Sequence, residues 1–158
     1  GDTHWPVDGY GWRDHSWGPR YWQNILFDRL YMANFGADCG LMLLKIANND
    51  GQIRRGGVLQ VDGLYEEIID LDIFNDWNDA RDPTAFQLTV RTANRAARIN
   101  GTVLNCAPLR NRREENGQLL ESRIAECFTR LEWDGRVGFG MTEYVERLQD
   151  GVPAGFPL

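Results

Sequence analysis

The sequence predicts an all-β domain, an antiparallel up-and-down barrel of about eight or nine strands. Three observations predict it. Turn signals (Asn49-Asp50-Gly51, Asp62-Gly63 and Asp134-Gly135) separate runs of strand length; such residues supply the positive φ angles of tight hairpins. The runs alternate: Ile69, Leu71 and Ile73 share one parity, Asp70 and Asp72 the other. Helical periodicity is weak, with 91–98 the one short candidate for a helical turn.

Residues 1–8 are a polar lead-in. The stretch 9–17 reads as the first strand. Arg13, His15 and Trp17 then face the barrel interior, and Trp12, Asp14 and Ser16 face away. Gly18-Pro19 ends it, because proline cannot donate to a ladder. Residues 19–26 connect, with Trp22 folding back over a barrel end. Strands follow at 27–35, 39–47 and 52–61. The fifth runs over 64–74, and 75–83 is a polar loop. In the sixth, Phe86, Leu88 and Val90 oppose Gln87, Thr89 and Arg91. The seventh covers 97–109, with Asn100-Gly101 a bulge or bend. A charged turn occupies 110–117. The eighth strand spans 119–133 and the ninth 136–148. The tail 151–158, rich in Pro and Gly, is expected to be loose.

The 158 residues suit one domain, 1–158. A composition of 42% hydrophobic and 25% charged residues is that of a globular chain. A net charge of −6 argues against general nucleic-acid binding. No apolar run approaches the roughly 20 residues of a membrane span. No signal peptide is visible, and the first residue is Gly, as in a trimmed or excised chain. Cys39, Cys106 and Cys127 show no ligand spacing and read as reduced thiols of a cytoplasmic protein. No metal or cofactor is expected: His4 and His15 lack useful spacing, and there is no phosphate loop or dinucleotide fingerprint.

Three places could carry chemistry. His15 is a candidate acid or base. Asp14 beside it points to the opposite face of a strand, so it is expected to bind a backbone amide or an Arg rather than to orient His15. The alternative is that His15 and Trp17 fill the barrel. Glu143 sits in the row Val137, Phe139, Met141, Glu143, Val145, with Tyr144 on the other parity. A carboxylate in an apolar row is at the barrel mouth or perturbed, unless Arg13 or Arg123 pairs with it. Lys45 is the only lysine and interrupts an apolar run. It reads as a desolvated functional amine or as an edge-strand guard.

The run Arg13-Asp14-His15-Ser16-Trp17-Gly18-Pro19-Arg20 resembles the signature of the hydroxyneurosporene synthase (carotenoid hydratase)/AttH-like superfamily. The segment 138–144 is similar to the last strand of its uncharacterised bacterial members. The resemblance implies a lipocalin-like fold, and two such domains in most members, the signature opening the second. A homodimer or a missing N-terminal domain would then complete the molecule. It also implies that His15 and Trp17 act in hydrating an isoprenoid double bond. The family's following Tyr-x-Asp pair has no match here, where the region reads Leu41-Met42-Leu43-Leu44-Lys45.

The expectation is therefore an enzyme acting on an apolar, isoprenoid- or polyketide-like molecule by acid–base chemistry: hydration, dehydration, isomerisation or cyclisation. His15, Glu143 and Asp14 form its catalytic set. Arg13, Trp17, Arg20, Lys45, Phe139, Met141 and Tyr144 form its ligand-binding set. The alternatives are a non-catalytic carrier of an apolar ligand and a structural interaction domain.

Overall fold

The computed structural model describes residues 1–18 and 21–158. Its strands are β1 (Ile25–Asn34), β2 (Gly40–Asn48), β3 (Ile53–Val61), β4 (Leu64–Glu67), β5 (Asp70–Trp77), β6 (Pro83–Arg91), β7 (Ala96–Glu115), β8 (Gln118–Trp133), β9 (Arg136–Gln149) and β10 (Val152–Pro153). The described residues contain no α-helix, only a 3-10 turn at Trp22–Asn24. All ladders are antiparallel, in the order β4-β3-β2-β1-β9-β8-β7-β6-β5, with β10 on β9. The expected all-β, up-and-down architecture is thus present.

The sheet is not closed, and its opening is not between its first and last long strands. β1 pairs β9 from Phe27↔Glu146 to Asn34↔Phe139. The two edges are β4 and β5, which are consecutive in the chain. The expected single fifth strand is these two. At Ile68 the amide donates to Gly57 of β3 (2.9 Å), and at Ile69 it donates to Arg91, the last residue of β6 (2.8 Å). The chain changes partner there, so backbone bonds on both sides are kept without a β4–β5 ladder.

Alternation decides the inner layer. Tyr31 and Ala33, Leu41 and Leu43, Leu59 and Val61, Phe86, Leu88 and Val90, and Ala97 and Ile99 are all buried in one cluster. Each large side chain so buried contributes about 1.5–3 kcal/mol of transfer free energy. Gly101 is no bulge. It lies in register with Phe86, whose ring covers it and occupies the place of a Cβ. The irregularity falls between Val103 and Asn105 instead.

Several expectations are corrected. Residues 1–17 form no strand, so parity does not aim their side chains. Asp14, His15 and Trp17 are exposed, Trp17 at 83%. Residues 91–98 make no helical turn: Thr92 Oγ1 accepts from the amides of Asn94 and Arg95 (both 3.1 Å) and caps a hairpin bend. The charged segment after 109 is strand, because β7 and β8 stay paired as far as Glu115↔Gln118 and turn at Asn116-Gly117. Lys45 guards no edge, since β2 lies between β1 and β3.

The tail is docked, not loose. Ala154 N donates to Arg147 O (2.8 Å). Trp77 Nε1 donates to Pro157 O (3.0 Å). Arg29 Nε and Nη2 both donate to Leu158 O (3.1 and 3.0 Å). The Phe156 ring lies edge-on to Trp77 at 5.6 Å. Four hydrogen bonds and one aromatic contact outweigh the disorder that Pro and Gly suggest in isolation.

Candidate functional site

The outer face of β3-β2-β1-β9-β8 is apolar where the outside of a soluble barrel is normally polar. Register places Val58, Met42, Met32, Met141 and Phe128 side by side in one row across five strands. On the flank of that row Phe139 stacks on Phe128, with ring centres 5.9 Å apart and planes 8° from parallel. Methionines suit a surface that must adapt to its occupant, being unbranched and polarizable.

A groove of about 220 Å³ opens on this face. Met32, Met42, Val58 and Tyr65 line it from the sheet, and Trp12 and Arg13 from the N-terminal segment. Asn34 lines it too, and also the adjoining hollow beside Tyr10 and Phe139. Asn34 Nδ2 is buried with no hydrogen-bond partner among the described residues. An orphan donor in an apolar groove is a place for an acceptor oxygen, since a buried unpaired amide costs about 1–3 kcal/mol.

Glu143 belongs to the same face. Its row Val137, Phe139, Met141, Glu143 points outward, and Gly138, Gly140, Thr142, Tyr144 and Glu146 point inward. Leu30 and Glu126 are its register partners on either side. Glu126 Oε2 is buried without a partner among the described residues. Arg123 is engaged elsewhere, with Asp82 and Arg81 O, so it does not pair Glu143. From Phe139 to Glu143 is two same-face steps, about 13 Å at the strand rise of about 3.3 Å per residue.

The sequence-predicted residues thus divide. Arg13, Phe139, Met141 and Glu143 come together on the outer face with Trp12, Met32, Met42 and Asn34. His15 and Asp14 stand in solvent, His15 against Trp17 with ring centres 5.1 Å apart. Arg20 lies outside the described residues. Lys45 and Tyr144 belong to the inner parity. Reasoning from the sequence missed Asn34, Met32 and Met42; apolar residues on both parities of 27–34 and 40–46 were the available signal.

It also missed an inner polar cluster. Arg29 and Glu146 are both 1% exposed and joined at 2.6 Å. The Arg29 guanidinium lies over Tyr144 (5.0 Å), Phe27 (5.3 Å) and Trp77 (5.6 Å). Deeper, the hydroxyls of Tyr31 and Tyr144 each donate to Asn75 Oδ1 at 2.9 Å. Burial pushes the Tyr31 hydroxyl up to about 12 and Tyr144 well above its ordinary value. Both are therefore neutral donors at any physiological pH. Asn75 Nδ2 is left without a partner among the described residues. The three cysteines are free thiols, and burial pushes that of Cys127 up.

These features define a lipocalin-like β domain with a groove outside the barrel. Residues 1–147 match the family described as Domain of unknown function (DUF7064), and the chain belongs to that family. No curated protein matches it. Among solved structures, the crystal structure of CghA with Sch210972 is similar, at 11% identity and a TM-score of 0.53. The similarity covers 85% of this chain and 43% of that one, so the chain spans less than half the length of CghA. At this identity the likeness concerns the fold alone.

Proposed function

We propose that this domain binds an apolar small molecule of isoprenoid or polyketide kind in the outer-face groove and acts on it by acid–base chemistry. The observation that carries the reading is the orphan Asn34 Nδ2 set in an apolar groove with Arg13 at its edge. The molecule's oxygen accepts from Asn34, and its hydrocarbon lies along Met32, Met141 and Phe128. Glu143 is the proton-transfer group, reached by a ligand about 13 Å long. The CghA fold, crystallised with Sch210972, is compatible with a ligand-binding role for this architecture. Hydration in the manner of the carotenoid hydratases is one reaction within this class. His15 is not required for it.

A second reading is a carrier, favoured by the exposure of His15 away from the groove. Two probes test the polar and apolar contacts of the groove separately: prodan, an apolar aromatic ketone, and diphenylhexatriene, a hydrocarbon without oxygen. Asn34→Leu is expected to weaken prodan at least tenfold and to leave diphenylhexatriene unchanged. Met42→Arg, at a half-exposed site, is expected to weaken both. Unchanged binding of both probes in Met42→Arg rejects the groove. For chemistry, the molecule that co-purifies is followed by mass spectrometry. Conversion by the wild type and not by Glu143→Gln supports catalysis; return unchanged by both supports the carrier.

A further inference from the structure

The far end of β1 carries a second set of features that the groove does not use. On the inner parity there, Arg55, Lys45 and Arg29 stand side by side across β3, β2 and β1. Glu146 pairs with Arg29 and Asp70 with Arg55. Lys45 has no ion-pair partner among the described residues, so this row of three holds one cation in excess. Phe27, Trp77 and Tyr144 wall the Arg29 guanidinium.

What fills this end is the chain's own tail, and it does so as a ligand would. Two N–H groups of Arg29 converge on one oxygen, Leu158 O, and Trp77 Nε1 takes the neighbouring one, Pro157 O. Phe156 supplies an apolar group against Trp77, and the Arg81 guanidinium lies over its ring at 5.6 Å. Gly155 passes so close that a Cβ would sit 2.5 Å from Arg29 Nη2 and 2.8 Å from Phe27 Cβ. The residues matched to the family end at 147, so the segment lies outside that match.

We propose that this end of the barrel is a binding site for an apolar carboxylate, and that residues 153–158 occupy it as a displaceable plug. The carboxylate takes the place of the Pro157 and Leu158 oxygens on Trp77 and Arg29. Its hydrocarbon takes the place of Phe156 on Trp77. Lys45 supplies the charge that distinguishes a carboxylate from a neutral ester, because a fork of N–H donors alone accepts either. Glu146 keeps Arg29 oriented and leaves the attraction for an anion to Lys45. The site is separate from the groove, on the other face and at the other end of β1, so either can fail alone.

The test uses the whole chain with cis-parinaric acid, whose fluorescence rises on leaving water, and its methyl ester. Phe156→Ala is expected to tighten the acid at least fivefold by loosening the plug. Lys45→Met is expected to weaken the acid about tenfold and leave the ester unchanged. All of these are read in a Met42→Arg background, in which the outer groove no longer takes an apolar probe. With acid bound, the amide of Ala154, which is held by Arg147 O, is expected to exchange faster. Tail amides that stay protected at saturating acid, with Phe156→Ala affinity unchanged, make the segment a permanent cap and overturn the proposal. Equal loss of acid and ester in Lys45→Met overturns the carboxylate assignment.

Discussion

Arg29 brings a full charge into the barrel end, where desolvation alone costs several kcal/mol. It is tolerated because each face of the guanidinium is used: Glu146 at 2.6 Å, Asp28 O at 3.0 Å, Leu158 O, and three aromatic rings. Tyr31 shows the same low-polarity surroundings from the neutral side. Burial holds its folded-state pKa near 12 against an ordinary 10. As pH rises, the unfolded chain therefore loses this proton first. The stability that Tyr31 contributes is complete below pH 10 and is lost as pH climbs to about 12. Two pKa units amount to about 3 kcal/mol. Urea unfolding of wild type and Tyr31→Phe between pH 9 and 12 checks this. The wild type is expected to fall more steeply, and parallel curves would show that the hydroxyl ionises alike in both states.

At the scale of strands, two glycines explain why neighbouring elements approach as they do. In β7, the three atoms nearest a Cβ on Gly101 all belong to the ring of Phe86. In β9, a Cβ on Gly140 would meet the backbone of Met32 and Ala33 in β1. The obstacles differ in kind: a ring can be replaced, a strand backbone cannot. Gly101→Ala is expected to destabilise by about 1–3 kcal/mol through overpacking, and Phe86→Leu in the same chain is expected to recover part of that loss. Gly140→Ala is expected to cost at least as much, with no recovery from Met32→Ala, whose side chain is not the obstacle. Thermal melts of the four variants decide it; recovery in the β9 pair would show that the β1–β9 spacing is adjustable.

For the whole molecule, the position of the opening sets the order of stability. β1 and β9 are bonded on both sides, and β4 and β5 on one. Across the opening Arg55–Asp70 at 3.3 Å is exposed and adds little, since exposed pairs contribute about 0–1 kcal/mol, whereas Glu66 of β4 is held by Arg95 (2.7 Å) and Thr92 in the β6–β7 bend. Amide exchange is expected to be slowest in β1 and β9 and fastest in β4, with the Ile68-Ile69 crossing opening together with β4. Equal protection of β4 and β1 would mean that the two edges are held by more than the crossing.

The sequence by itself determined the strand class, most of the hairpins and the inner row of β6. Asp-Gly turns and a period of two act over a few residues and leave little choice. It also marked Lys45 and Glu143 as charges in apolar runs. Only the tertiary structure decided which side those runs face. In β9 the more apolar row is the outer one, because small residues (Gly138, Gly140, Thr142) are what fits inside against Phe35 and the Met32 backbone. The motif around His15 reads as a strand from its own alternation, yet a strand needs a partner ladder. Residues 1–17 make no ladder, and Tyr10, Trp12 and Arg13 lie against the outer face instead. The tail is the same lesson reversed: its Pro and Gly signal looseness locally, and its order comes from Arg29 and Trp77, more than 75 residues away in the chain.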